Sequence, residues 1–373
     1  MNNKLKRYII KSMLIISSLL LLSGCWDVKD IDNRMIAVVL GIKSAEDDNI
    51  EVFIKFPKPE TMMKGSSAGG SDETPFIVIH ETAPTVFAAI NKINLKLPKS
   101  LDLKSIQTVI VDEELAKKGL LPYLEFIIRS RMVPVDANFA VIRGEFSPLF
   151  YSKAQTGDSS GMLFTNFFDE SAGGSPQKTN IEMWEIYSRL SNPLVSALAP
   201  VIQANKQQDT LFTVEGNGYF LGDQMVGLLP QEYMLSYSIL SRKIKGNEII
   251  VVDKADVKII KNDIEYTKMG LNSYGKPFVH LKVSLDLNLV DSSKLNKISK
   301  DELENKVSAI VEKTANEIIK QTKPIGADVF QFGNRFRGII NADQYGQWPS
   351  LYKDMEIKIE IQSHLRNTGM LKF

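Results

Sequence analysis

One segment near the C-terminal end of the chain restricts the fold more than any other. In residues 277–291, PFVHLKVSLDLNLVD, apolar and polar residues alternate without interruption. Successive side chains of a strand point to opposite faces of the sheet, so this pattern predicts a strand with one buried face and one solvent face. The residues predicted to face inward are Val279, Leu281, Val283, Leu285, Leu287 and Leu289.

The next segment is predicted to cover this buried face. Residues 299–324, SKDELENKVSAIVEKTANEIIKQTKP, begin with a capping box of Ser299 and Glu302. The apolar stripe predicted for this helix is Leu303, Val307, Ile310, Val311, Thr314 and Ile318. Residues 354–369 form a final alternating strand whose predicted inward residues are Ile357, Ile359 and Ile361. The C-terminal part is therefore predicted to be a long helix over an antiparallel sheet.

The N-terminal half alternates strands with helices. Strands are predicted over 35–42, 49–56, 74–82, 104–112 and 137–144. Helices are predicted over 84–97, 113–130 and 180–193, with Pro84 in the first turn of the first helix and a break in the second at Gly119–Pro122. The first two strands predict a hairpin, and residues 210–230 predict another that turns at Gly222 and Asp223.

These patterns predict the fold class. It is α+β (mixed α/β) and multi-domain, with mainly antiparallel sheets that each pack against helices. The length of 373 residues and a hydrophobic fraction of 44% allow two or three domains with sizeable cores.

The first 25 residues predict export from the cytoplasm. Four basic residues and no acid precede an apolar stretch of 10 residues from Met13 to Leu22, whereas a bilayer-spanning helix needs roughly 20. A short membrane anchor or a buried helix fits less well than a signal peptide, because the basic flank and the small-residue ending also agree with one. Leu22-Ser23-Gly24-Cys25 resembles a bacterial lipobox. The motif predicts cleavage between Gly24 and Cys25, and an S-diacylglycerol and an N-acyl group on Cys25.

The charge of the remaining chain argues against polyanionic partners. Residues 25–373 contain 41 basic and 44 acidic residues, a net charge of −3. A body with this balance has no electrostatic reason to bind nucleic acid or an anionic membrane surface.

No segment of the sequence predicts an enzyme. His80, His280 and His364 lie in separate predicted strands and lack zinc-site spacing. There is no P-loop or nucleophile elbow. GNGYFLG (216–222) places its third glycine one position too late for a dinucleotide fingerprint and leads into a strand. We predict no catalytic residue, no metal and no cofactor, apart from the covalent lipid on Cys25.

Three stretches resemble the Ger(x)C family of spore germination lipoproteins, the C subunits of nutrient germinant receptors. They are SGCWDVKDIDNRMIAVVLGI (23–42), VEGNGYFLGDQMVGLL (214–229), and KPIGADVFQFGNRF (323–336) with the following tryptophan and alternating strand. The chain departs from the family at Lys43, where an acid is usual, and in a longer Gly/Ser loop over 64–74.

The resemblance implies a lipid-anchored, non-catalytic subunit on the outer face of the spore inner membrane. It would assemble with the integral-membrane A and B subunits, and whether it contacts the germinant itself is left open. We expect residues 1–24 to be a removed signal peptide, 25–205 an N-terminal α/β region and 206–373 a C-terminal α+β domain. A further division near residue 260 is left open.

Two other classes of protein are alternatives for a lipid-anchored chain. A solute-binding lipoprotein of a membrane transporter shares the lipobox, but such proteins usually have two lobes of parallel α/β topology, unlike the C-terminal half predicted here. A lipid-anchored cell-wall hydrolase would need a positioned acid or metal, which the sequence does not offer.

Trp26 and Asp27 follow the lipidated cysteine directly and are expected at the membrane interface. Trp26 either rests among the lipid headgroups or docks onto the body and fixes how it stands above the bilayer.

Overall fold

The computed structural model describes residues 8, 11–13, 33–58, 76–151, 167, 180–204, 212–241, 244, 248–252, 255–291 and 299–367. Within these ranges, no helix combines the length and the apolar character needed to cross a bilayer. The described strands and helices form two main sheets with helices packed against them, which confirms the α+β prediction.

The strands are β1 (Arg34–Ile36), β2 (Val39–Ser44), β3 (Ile50–Pro57), β4 (Phe76–Ala83), β5 (Ser100–Asp102), β6 (Thr108–Asp112), β7 (Asn138–Arg143), β8 (Leu198–Ala204), β9 (Phe212–Leu221), β10 (Gln224–Pro230), β11 (Glu248–Val252), β12 (Ala255–Leu271), β13 (Pro277–Asp291) and β14 (Glu356–Asn367). The helices are α1 (Val86–Lys96), α2 (Glu113–Lys118), α3 (Leu121–Ser130), α4 (Ser147–Tyr151), α5 (Met183–Leu190), α6 (Met234–Ser241), α7 (Lys300–Thr322), α8 (Phe332–Phe336) and α9 (Trp348–Asp354). Short 3-10 helices cover Gln231–Tyr233, Lys323–Ile325 and Ala342–Gln347.

The larger sheet has eight strands in the order β10-β9-β8-β7-β6-β2-β3-β4. Its centre, from β8 to β2, is parallel, because helical crossovers join these strands. Both ends are antiparallel: the predicted β2–β3 hairpin continues to β4, and the predicted β9–β10 hairpin adds to β8. In that second hairpin, Gly222 has a φ of 60°, which a primed turn requires.

The two faces of the larger sheet have different covers. Helices α1, α3 and α5 cover one face and bury Ile90, Leu124 and Ile186 against it. On the other face, the rings of Phe146 and Phe150 stack at 5.0 Å, and both contact Phe53 of β3. Helix α1 begins two residues later than predicted, because Thr85 caps it by accepting from Ala88 N, and Pro84 precedes the cap.

The smaller sheet has the order β11-β12-β13-β14. All six residues of β13 predicted to face inward are buried. Strands β11, β12 and β13 are antiparallel, as predicted, but β14 runs parallel to β13. The difference arises because α7 returns the chain to the end of the sheet where β13 begins, and β14 starts from that end.

Helix α7 has the predicted start but a different buried stripe. The Ser299 side chain accepts a hydrogen bond from Glu302 N at 3.2 Å. The predicted stripe was wrong at Ile310, which is 39% exposed, and at Thr314, whose hydroxyl bonds the Ile310 carbonyl in an exposed setting. Ala315 and Thr322, which were not part of the predicted stripe, are buried. The buried stripe drifts around a straight helix, so its position shifts gradually along the 23 residues.

The β9–β10 hairpin joins the larger sheet. Its first strand, β9, pairs with β8, so the expected boundary between 205 and 206 falls in the connection between two paired strands. A division near residue 260 would fall inside β12, which continues from Ala255 to Leu271.

Candidate functional site

The predicted lipidation and docking residues lie outside the described residues. These are Gly24, Cys25, Trp26 and Asp27, and their roles remain predictions. The structure does describe the place where the body begins after them, at Asn33.

That starting point is held by a small parallel sheet of β1 and β5. Arg34 Nη1 lies 2.8 Å from Asp102 Oδ2, and the Ser100 hydroxyl donates to the Asn33 carbonyl at 3.1 Å. The backbone N–H of Lys104 donates to Asp102 and, with Arg34, lowers the pKa of that carboxyl. The first described residues after the predicted anchor are therefore fixed to the segment between α1 and β6.

The histidines lie in three different strands, His80 in β4, His280 in β13 and His364 in β14. His80 Nδ1 lies 2.7 Å from Glu51 Oε1, and its ring stacks on Phe53 at 5.1 Å. His280 Nε2 lies 3.5 Å from Glu356 Oε1, in the other sheet. Among the described residues, no three His, Cys, Asp or Glu side chains are grouped so that they could hold a metal ion.

One strong ionic cluster joins β7 to its neighbours. Arg143 donates two hydrogen bonds to Glu113, at 2.9 and 2.8 Å, and a third to Glu215 at 2.8 Å. The bonds from Arg143 lower the pKa of Glu113 to about 2. The Arg143 guanidinium pairs with two carboxylates of the same chain, so the cluster links the start of α2 to β7 and β9.

The glycines of the β9–β10 hairpin make room for close packing. A Cβ on Gly216, which has a φ of 156°, would lie 2.2 Å from the Leu229 carbonyl oxygen. A Cβ on Gly227 would lie 2.3 Å from the Tyr219 ring. This close approach accounts for Gly216, the first glycine of the pattern that superficially resembles a nucleotide fingerprint.

The turn of the same hairpin contacts the start of α3. The Asp223 carbonyl accepts from Leu120 N at 3.0 Å, and its carboxylate accepts from Leu121 N at 3.3 Å. Two N–H groups without an intrahelical partner are thereby satisfied.

The most buried acid is Asp328, in the segment after α7. It is 1% exposed, and its carboxylate accepts bonds from Phe332 N at 3.1 Å, Gly333 N at 2.7 Å and Trp348 Nε1 at 3.0 Å. Burial raises the pKa of Asp328 to about 6, although all three donors favour the charged form. Burial raises the pKa of Tyr352, and the nearby charge of Asp328 raises it further.

Asp328 also lies at the joint between the segment before β8 and the C-terminal part. Ser196 N donates to the Asp328 carbonyl at 3.0 Å, and Asn192 Nδ2 donates to Asn334 Oδ1 at 3.0 Å. A Cβ on Gly333 would lie 2.0 Å from the Leu194 carbonyl oxygen. The chain around Asp328 is therefore in close backbone contact with the segment before β8.

The sequence predicted no role for Asp328, Gly333 or Trp348. The signal was available, because an acid among apolar residues must find donors if it is buried. The burial of Lys55 was harder to predict, because a lysine at this position fits the solvent-facing side of an alternating strand. Lys55 is nevertheless only 1% exposed.

These features define an α+β protein with two main sheets, in which the polar clusters described above connect segments of the same chain. The description "Spore germination protein N-terminal domain" matches residues 27–204, and "Spore germination B3/ GerAC like, C-terminal" matches residues 215–369. The chain belongs to this spore germination family.

Its relatives include three proteins of Bacillus subtilis (strain 168). Putative spore germination protein YfkR is 22% identical over 95% of both chains. Spore germination protein KC is 21% identical over 98% of this chain and 97% of its own. Spore germination protein B3 is 22% identical over 94% of this chain and 96% of its own. These matches do not favour the solute-binding alternative.

A solved structure shares the fold. The crystal structure of the GerBC protein covers 88% of this chain and 97% of its own, with a TM-score of 0.54 at 14% identity.

Proposed function

We propose that this protein is a non-catalytic, lipid-anchored subunit of a spore nutrient germinant receptor. It would stand on the outer face of the spore inner membrane, attached through lipid on Cys25, and assemble with the integral-membrane A and B subunits. Its contribution would be receptor assembly and the germination response.

One observation carries the proposal: two germination-family descriptions match in order from residue 27 to residue 369. The matched region begins two residues after the lipobox cysteine, so anchor and family region are contiguous. Two acyl chains give stable attachment, whereas one chain binds only marginally. The internal joints at Asp223 and Asp328 suit a rigid body that presents a fixed surface to partners.

The first test replaces Cys25 with Ala in the sporulating host. We expect the Cys25→Ala protein to be lost from the inner-membrane fraction, and nutrient-triggered germination to slow. Gly24→Ala is the matched control, because it keeps a small residue before the cysteine and should retain the protein in the membrane.

The second test is chemical crosslinking in spores, followed by identification of the captured chains. Capture of two integral-membrane receptor subunits is expected with the wild-type protein and not with Cys25→Ala. A strain lacking this gene that germinates normally with every nutrient tested would contradict the proposal, as would a mature wild-type chain that begins with an unmodified Met1.

A further inference from the structure

The amine of Lys55 is buried and has no hydrogen-bond partner among the described residues. Its Nζ lies 3.8 Å from the centroid of the Phe76 ring, and the residue is 1% exposed. A charged ammonium is destabilised in such a place, because no described acceptor replaces the water that it loses. Burial accordingly lowers the pKa of Lys55 to about 7. Any motion that returns the amine to water therefore favours its charged form.

Part of the cover over Lys55 comes from the edge of the larger sheet. Lys55 in β3 stands opposite Val78 of β4 and Val39 of β2, so the three side chains share one face of the sheet. Strand β4 is the last in the order of the described strands, whereas β2 is paired on both sides. Phe76 and Val78 both belong to the first half of β4. Separation of this half from β3 is a local route by which the amine can reach water.

The other half of β4 is tied to helix α1. The Thr82 carbonyl accepts a hydrogen bond from Lys92 Nζ at 2.8 Å, and Glu81 forms an ion pair with Lys96. Both ties lie at the end of β4 that leads into α1. Opening that starts from the Phe76 end of the strand would therefore leave both of them intact.

The titratable groups nearest to Lys55 on this sheet face bond to one another. Glu51 in β3 lies opposite Lys43 in β2, and its carboxylate lies 2.7 Å from His80 Nδ1 in β4. The charge of Glu51 also contributes to the raised pKa of Tyr151, at the end of α4. None of these four groups forms a hydrogen bond with Lys55. The protonation of Lys55 is therefore controlled by its access to water.

We propose that Lys55 makes the first half of β4 (Phe76–Ile79) a pH-sensitive latch on the edge of the larger sheet. The latch is closed while the amine is neutral, and it opens more often as the amine takes up a proton. Opening places the ammonium in water and uncovers the edge of β3. This inference goes beyond the proposed receptor role and does not depend on the lipid anchor.

Hydrogen exchange of the full-length chain tests the latch. The protection of the Phe76–Ile79 amides, relative to unprotected amides at the same pH, should rise about fiftyfold from pH 7 to pH 9, because opening binds a proton across this range. Strand β10, at the opposite edge of the same sheet, is the reference and should keep constant protection. The latch amides should exchange faster than those of β13 at both pH values, because their opening is local.

Substitutions assign the effect to the amine. Lys55→Met should give high protection of the latch amides at both pH values. Lys55→Arg should give low protection at both, because a guanidinium stays charged. Lys43→Met is the matched control, since Lys43 is a half-buried lysine on the same sheet face, and it should keep the wild-type pH dependence. His80→Gln removes the other titratable side chain near the latch and should also keep it.

Three results would overturn the latch. The first is protection of the wild-type latch amides that is constant or falls between pH 7 and pH 9. The second is a pH dependence that persists in Lys55→Met or disappears in His80→Gln, because a group other than Lys55 would then titrate. The third is exchange of the latch amides at the rate of β13, which would show that the amine reaches water only when the whole chain unfolds.

Discussion

The indole nitrogen of Trp348 donates a hydrogen bond to Asp328 Oδ2 at 3.0 Å, and both residues are 1% exposed. The bond links the segment after α7 to the first turn of α9. A buried acceptor with several fixed donors specifies one arrangement of the surrounding chain, because every alternative leaves a polar group unsatisfied. This bond gives a physical reason for the presence of Asp328 and Trp348 in this chain.

The first prediction concerns pH. The pKa of Asp328 is raised from 3.8 in the unfolded chain to about 6, so the folded state binds this proton more tightly. The stabilising contribution is complete below pH 3.8 and is lost as the pH rises through 6. Asp328→Asn should remove this component, about 3 kcal/mol across the window, from the pH profile of urea unfolding. Asp343→Asn, at an exposed acid, should keep the wild-type profile, and an unchanged profile in Asp328→Asn would contradict the assignment.

The second prediction concerns the joint at Gly333. A Cβ there would meet the Leu194 carbonyl oxygen at 2.0 Å and Trp348 Nε1 at 2.6 Å. Gly333→Ala should therefore lower the free energy of unfolding by about 3 kcal/mol. Gly338→Ala is the control, since no atom lies within 4 Å of its added Cβ, and its change should stay within about 0.5 kcal/mol. Chemical denaturation measures both, and equal effects would rule out the steric explanation.

The third prediction concerns Lys55 in β3. Its Nζ lies 3.8 Å from the Phe76 ring centroid and has no hydrogen-bond partner among the described residues. Burial lowers the pKa of Lys55 from 10.5 to about 7, so the unfolded chain binds more protons between these values. Stability should therefore rise as the pH increases from 7 to 10.5.

Replacing the buried amine should raise stability at neutral pH. Lys55→Met fills similar space without a charge, and we expect a gain on the order of 3 kcal/mol at pH 7. Lys55→Arg retains a charge that cannot be neutralised and should destabilise the protein. Thermal unfolding of both variants decides the matter, and a loss of stability in Lys55→Met would show that the amine has a stabilising partner.

The fourth prediction concerns the hairpin turn at Asp223. Asp223→Ala removes the carboxylate that accepts from Leu121 N and should lower the free energy of unfolding by about 1 kcal/mol. Asp223→Asn keeps a side-chain acceptor, so its free energy of unfolding should fall by only about 0.3 kcal/mol. Hydrogen exchange at the start of α3 should be faster in the Ala variant than in the Asn variant, and identical exchange would exclude a capping role.

Local patterns determined the strands and the main helices. The alternation in residues 277–291 fixed which face of β13 is buried, because side-chain direction in a strand has a period of two. Ser299 fixed the start of α7 through its bond to Glu302 N. The N-terminal motif predicted lipidation of Cys25, and that prediction remains to be tested by experiment.

Other features depended on contacts between distant residues. The direction of β14, the sheet that β9 and β10 join, and the burial of Lys55 could not be predicted from local patterns. Each depends on which segments meet after the chain has folded back.

The sequence by itself therefore determined the α+β class and the main strands and helices, and it predicted the lipid on Cys25. These features arise from interactions between residues within a few positions of each other. Only the tertiary structure decided that Asp328 meets Trp348 and Gly333, and that Ser100 meets Asn33. The physical reason is that burial and charge clustering depend on three-dimensional neighbours, which sequence spacing does not specify.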